Sequence, residues 1–299
     1  MAMMDSHFSL LPSQSLRQVS HLMLMPKRLR AGAMRGERRS KKRGTSIEFA
    51  DYRNYSAGDD LRKLDWNILA RLNKPVVKVH EDEEDLTVHL LCDASLSMQA
   101  TEEGETSKWD YSTRLASLLA FVALNAGDAL TTQRLGETDR TFKGRGREGL
   151  VPFLRWMGQQ SPQGQTDLNA SLQAFTAREK RVGLCFIFTD LFSPMGYETG
   201  LRAMLAKGHE VVLVHTLAPS DITPPVRGDV RLIDVETLAP QELTIDAPLY
   251  ARYQAHLHQW QEGIRATCAR WGVHYVHPVS STPPERLLLS DLLQFKLLK

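Results

Sequence analysis

The 299 residues leave room for one large domain or two small ones, and 42% apolar and 24% charged residues are ordinary for a globular chain. A net charge of only +2 excludes a global basic or acidic field, so affinity for nucleic acid or membrane has to come from a local patch. No apolar run approaches the ~20 residues of a bilayer span, and Cys92, Cys185 and Cys268 form no C-x-x-C, which excludes a disulfide framework and points to a reducing, cytoplasmic setting.

Residues 1–43 read as a basic N-terminal extension. Within it Ser15–Met25 suits a short amphipathic helix ending at Pro26, and the apolar Leu22–Met25 is too short for a signal core. Lys27–Arg43 carries nine basic residues against one acid, Glu37. Such a run is solvated and can touch acidic lipid peripherally. It lacks the interleaved aromatic residues that stack on bases, so no specific nucleic-acid role is expected.

Residues 44–85 read as a separate segment. Asp59 or Asp60 suits an N-cap, followed by Leu61, Leu64, Ile68 and Leu72 at helical spacing up to Asn73-Lys74-Pro75. Tyr52, Arg53, Tyr55, Gly58 and Asp59 precede it as a compact polar-aromatic loop. Arg53 and Arg62 can pair with Asp59, Asp60 or Asp65 and pin the segment down, or these residues with Tyr55 can form a partner-binding surface. Val76–His80 alternates like an edge strand, and Glu81–Asp85 is a block of five acids, solvated or paired with the basic run.

Residues 86–299 alternate strands and helices. Leu86–Met98 is a buried strand running into Asp93-x-Ser95-x-Ser97. Lys108–Leu130 reads as a long helix, Ala129–Leu135 and Arg140–Phe142 as a hairpin, Lys143–Gly149 as a basic loop and Leu150–Met157 as a short helix. Thr166 leads into a helix ending near Glu179, and the strand Arg181–Thr189 ends in Asp190. A helix at Leu201–Lys207, strands at Glu210–Leu217 and Gly228–Val235, a helix at Leu249–Trp271, a strand at Val273–Val276 and a helix at Pro284–Leu298 complete the chain. The alternation predicts an α/β fold with a doubly wound, mostly parallel sheet and helices on both faces.

Asp93, Ser95, Ser97, Thr166 and Asp190 all fall in loops at strand C-terminal ends, where open α/β sheets bind ligands. Two carboxylates and three hydroxyls form a hard-oxygen set suited to Mg²⁺, with Mn²⁺ or Ca²⁺ as alternatives. Catalysis finds less support. There is no G-x-x-x-x-G-K-[ST] and no G-x-S-x-G, the Asp93 motif lacks a second Asp, and no His stands beside the three loops. The expectation is therefore not an enzyme; a Mg²⁺-dependent hydrolase using Asp93 and Asp190, or a scaffold with a non-functional site, are the alternatives. His256 and His258 face roughly 200° apart on a helix. His274 and His277 point to opposite faces of a strand. Neither pair is a chelate.

The five oxygen donors resemble the metal-ion-dependent adhesion site of von Willebrand factor A domains. The pattern Glu48-Phe49 … Arg53-x-Tyr55-x-x-Gly58-Asp59-Asp60-x-Arg62-x-x-Asp65-Trp66-x-x-x-Ala70-Arg71 resembles the signature of the bacterial domain-of-unknown-function family fifty-eight, in which it leads into such a domain. The resemblance implies a von Willebrand factor A-like fold and a metal that binds an acidic side chain of a protein partner. It also implies a MoxR-type AAA+ ATPase as associate, with a chaperone-like role in assembling or activating other complexes. Many family members begin with two membrane-spanning helices; none is visible here.

Overall fold

The computed structural model describes residues 10–26, 49–56, 64–80, 86–136 and 140–299, with the backbone alone at 49–53 and 78–80. The basic run 27–43, the acidic block 81–85, the turn 137–139 and the expected partner-surface residues Asp59, Asp60 and Arg62 lie outside the described residues. The chain divides into two compact units, residues 30–85 and residues 1–29 joined to 86–299.

The smaller unit contains β1 (Phe49–Asn54), α2 (Trp66–Leu72) and β2 (Val76–His80), numbered along the whole chain. β1 and β2 pair antiparallel, so the stretch around Tyr52 and Arg53, expected as a loop, is a strand. Asp65 is the N-cap of α2, with Oδ1 accepting from the backbone N–H of Asn67 (3.0 Å) and Ile68 (3.2 Å). Leu64 is drawn out of the helix into a bridge with Val77. Asn73 ends the helix in the left-handed conformation.

The larger unit is built on a six-stranded sheet. Its strands are β3 (Thr87–Asp93), β4 (Ala129–Leu135), β5 (Arg140–Arg145), β6 (Leu184–Thr189), β7 (Glu210–His215) and β10 (His274–Val276), in the spatial order β10-β7-β6-β3-β4-β5. All pair parallel except β5, an antiparallel edge that extends through the expected basic loop to Arg145. The period-2 geometry of the strands sends alternate side chains to two cores. Leu90, Phe186, Phe188, Val212 and Val214 face α3 (Lys108–Ala126) and α4 (Leu150–Met157). Leu91, Cys185, Ile187, Val211 and Leu213 face α5 (Leu168–Arg178), α6 (Glu198–Ala206) and α8 (Ala247–Trp271). Both faces are covered, as parallel strands with apolar residues on each side require.

The described part of the expected extension joins this unit. Helix α1 covers only Ser13–Val19, shorter than the expected helix to Met25. Beyond it Met23 and Met25 pair with the C-terminal end: Met23 N–H donates to Lys299 O (2.9 Å), Lys299 N–H to Met23 O (3.0 Å) and Met25 N–H to Leu297 O (2.7 Å). Helix α9 correspondingly stops short of Leu298; it starts at Pro284–Arg286 and continues as a π-helical turn, Leu287–Leu292. After the short α7 (Pro219–Ile222), the strand expected at Gly228–Val235 is β8 (Gly228–Ile233). It pairs with β9 (Pro240–Ile245) in a separate antiparallel hairpin outside the main sheet. Its residues are largely exposed, so it had no apolar face to bring to the sheet.

Candidate metal centre

The chain leaves β3 through α3 to β4 and β5 on one side, then returns through α4 and α5 to β6 on the other. Loops leaving β3 and β6 therefore diverge, and a crevice opens at the sheet's C-terminal edge between them. The five predicted donors meet there, each no more than 7% exposed.

Asp93 is the last residue of β3. Its Oδ1 accepts the Ser95 N–H at 3.0 Å and its Oδ2 accepts the Thr189 hydroxyl at 2.7 Å. A 3₁₀ turn, Leu96–Met98, brings the Ser97 hydroxyl to 3.0 Å from that of Ser95. Thr166 precedes Asp167, the N-cap of α5. Its carbonyl is held by the Ser193 hydroxyl at 2.9 Å. Its own hydroxyl is buried, faces the Asp93 carboxylate and closes no hydrogen bond of ordinary geometry. Asp190 follows β6, with Oδ1 accepting the Phe192 N–H at 3.1 Å. The loop turns sharply there: Leu191 sits at φ 59°, a left-handed conformation uncommon for a bulky residue. The Leu191 N–H is caught by Thr189 Oγ1 at 3.0 Å.

The electrostatics are dominated by buried carboxylates. Burial pushes the Asp93 carboxyl upward and the neighbouring charge of Asp190 adds to it, against the hydrogen bonds it accepts. Lys108, on the first turn of α3, is itself buried and places Nζ 2.9 Å from Asp190 Oδ2 and 3.0 Å from Asp221 Oδ2. Burial alone would lower its pKa; the two carboxylates outweigh it and raise it. Asp190 and Asp221 share one ammonium, and Asp93 stands beside them with no ammonium of its own. Hard oxygen donors and the buried Thr166 hydroxyl left without a hydrogen bond of ordinary geometry fit Mg²⁺. Asp93, Ser95, Ser97, Thr166 and Asp190 would hold it.

Three participants are not apparent from the sequence: Lys108, Thr189 and Glu236. Lys108 begins a helix like many surface lysines, and only the fold turns it inward. Thr189 could be suspected from its place beside Asp190. Glu236 lies in the β8–β9 turn and is the half-buried residue of an otherwise exposed hairpin tip. Burial pushes its pKa up, with the charges of Asp190 and Asp93 adding to the effect.

A second cluster, His89, Cys185 and His209, is buried at the opposite edge of the sheet. His89 Nε2 stands 3.1 Å from the Arg181 carbonyl and must carry the proton, and His209 Nδ1 accepts the Gly183 N–H at 3.2 Å. Burial holds His89 neutral, with its pKa lowered to about 4. Of the residues expected at a partner surface, Tyr55 and Asp65 belong to the smaller unit, and Arg53 lies in β1. Asp65 is spent on its helix cap.

Among proteins of known sequence, the pattern of the family described as "Protein of unknown function DUF58" matches residues 51–262. Uncharacterized proteins of Mycobacterium tuberculosis and Mycobacterium bovis are each 28% identical over 270 residues, covering 88% of this chain and 83% of their own. An uncharacterized protein of Mycobacterium avium is 30% identical over 129 residues, 43% of this chain and 73% of its own. Among solved structures, an aerotolerance-related membrane protein from Bacteroides fragilis overlaps 70% of this chain and 99% of its own, with 14% identity and a TM-score of 0.46. The conserved hypothetical protein BatB from Bacteroides thetaiotaomicron overlaps 71% and 98%, with 14% identity and a TM-score of 0.45. Among the described residues no helix is long and apolar enough to cross a membrane.

Proposed function

The chain belongs to the DUF58 family, and on that premise we propose that it is a metal-dependent protein-binding module of von Willebrand factor A type. The observation that carries this reading is the convergence of Asp93, Ser95, Ser97, Thr166 and Asp190, all buried, at the C-terminal end of the sheet. The parallel sheet with one antiparallel edge strand, β5, supports the same reading. When bound, Mg²⁺ would offer a coordination position to an acidic side chain of a partner. The chain's residues do the rest. Thr189 and the Ser95 N–H orient Asp93, Lys108 restrains Asp190, and Ser193 positions Thr166. The partner proposed is a MoxR-type AAA+ ATPase or its client complex, with the pair acting in assembly or activation of other proteins.

No observation favours a hydrolase over this reading. The histidine closest to the crevice, His215, spends Nε2 on the Asp190 carbonyl (3.1 Å) and Nδ1 on the Tyr275 hydroxyl (2.8 Å), leaving no nitrogen for a water. The test is capture of a purified MoxR-type ATPase on the immobilised full chain, in Mg²⁺ and in EDTA, with wild type and Asp93→Ala. Capture by wild type in Mg²⁺ alone is expected. Equal capture in EDTA, or by Asp93→Ala, would overturn the role of the metal in binding.

A further inference from the structure

Lys108 stands where local rules disfavour a lysine. It is the first residue of α3, directly after the N-cap Ser107, at the end of a helix where the peptide dipoles favour negative charge. It is only 1% exposed, and lysines are almost never buried so fully unless paired. Its partners account for it. Nζ lies 2.9 Å from Asp190 Oδ2, 3.0 Å from Asp221 Oδ2 and 4.7 Å from the centre of the Phe192 ring. The two carboxylates are anchored independently of each other. Asp190 Oδ1 accepts the Phe192 N–H at 3.1 Å. Asp221, on α7, accepts the Ala218 N–H on Oδ2 at 2.8 Å, and the Tyr253 hydroxyl of α8 donates to its backbone carbonyl. One ammonium is therefore shared between two fixed acids on separate elements.

Asp190 spends Oδ1 on the backbone. Its Oδ2 is buried, closes no hydrogen bond of ordinary geometry and is met instead by the ammonium. Oδ2 is thus the oxygen left for a cation, and Lys108 already supplies one. A divalent ion held by Asp93, Ser95, Ser97, Thr166 and Asp190 would place a second cation on the same carboxylate, and two like charges repel strongly in a buried site. Asp221 resolves the conflict, because it holds the same ammonium and is not one of the five donors. We propose that Lys108 is the counter-ion of Asp190 in the metal-free protein and is yielded to Asp221 when a divalent cation takes Asp190, so that these two residues set the affinity of the site. The proposal rests on the metal-site reading above. Lys108 is a positioning residue, acting on the metal through Asp190. Its loss has two effects of opposite sign. The metal-free crevice loses the charge that steadies it, while the metal loses a competitor. A lysine with a merely structural role would weaken both folding and metal binding when removed.

The test uses the purified full chain with Mn²⁺ as the probe, its free concentration read by electron paramagnetic resonance, together with thermal melting in EDTA. The proteins are wild type, D93A, K108M, D221N and the double variant K108M/D221N. Wild type is expected to bind one Mn²⁺ and D93A none. K108M should bind at least about tenfold more tightly than wild type and melt at a lower temperature in EDTA. D221N should bind about tenfold more weakly, because the whole ammonium then falls to Asp190. Asp221 acts through Lys108, so adding D221N to K108M should change the affinity by less than about threefold. The double variant removes one charge of each sign, so comparing it with D221N keeps the test decisive if K108M does not fold; the same tightening is expected. Unchanged or weaker binding on loss of Lys108 would overturn the proposal while leaving the metal site standing. An equal loss from D221N with and without Lys108 would overturn the transfer to Asp221. Absence of Mn²⁺ binding in wild type would overturn the metal reading itself, and the proposal with it.

Discussion

Asp93 is buried, carries two accepted hydrogen bonds and faces a second carboxylate, so its charge is a local liability in the metal-free protein. Asp93→Asn is therefore expected to leave the melting temperature in EDTA unchanged or higher, because repulsion is relieved while an oxygen acceptor remains. The same change should abolish any stabilisation by Mg²⁺. A fall of several degrees in EDTA would show that the hydrogen bonds outweigh the repulsion. His89 poses the opposite problem. It is held neutral in the fold, with a pKa lowered to about 4 by burial, while the unfolded chain titrates near 6.5. A lowered folded pKa means that stability is fully present above the unfolded value and drains away as pH falls from about 6.5 to about 4. The loss attributable to His89 is on the order of 2–3 kcal/mol. His89→Gln should flatten that part of the urea-denaturation profile relative to wild type.

At the level of elements, the larger unit is closed by a contact between its described N- and C-terminal segments. Leu24 is fully buried and bridges Leu298, while Val19 and Leu22 pack into the same core as α3 and α9. Leu24→Ala should cost about 3 kcal/mol, read from chemical denaturation, because it leaves a cavity that a paired backbone cannot collapse to fill. The helical spacing over Ser15–Met25 pointed to a longer helix because Val19, Leu22 and Leu24 suit either a helix face or a packed extended chain. The competition was settled by the partner strand at Leu297–Lys299, more than 270 residues away. A similar ambiguity holds at Leu64, which suits a helix face by spacing but is bridged to Val77, with Asp65 capping α2 directly after it. The β8–β9 hairpin was half legible. Its first strand has β-rich residues, but whether a strand joins a parallel sheet depends on a neighbour that sequence spacing does not identify.

At the level of the whole molecule, ligation and stability are linked. If Mg²⁺ binds only the folded crevice, a hundredfold excess over Kd adds about 2.7 kcal/mol, a rise of roughly 5–10 °C in melting temperature for a unit of this size. Calorimetry with Mg²⁺ and with EDTA checks this directly, and coincident melting curves would deny a specific site.

The sequence by itself determined the class of fold, because apolar runs long enough for a buried strand alternate with helical spacing from Leu86 onward. It also singled out the five oxygen-bearing residues proposed to hold a metal, because a loop at a strand's C-terminal end is a local motif carried by Asp93-x-Ser95-x-Ser97, Thr166 and Asp190. Tertiary structure alone decided what surrounds them. Lys108 reaches the crevice from a helix N-terminus whose own sequence is ordinary for a surface. Long-range pairing decides which polar side chains are turned inward, and charge acquires its meaning only from the charges it is buried beside.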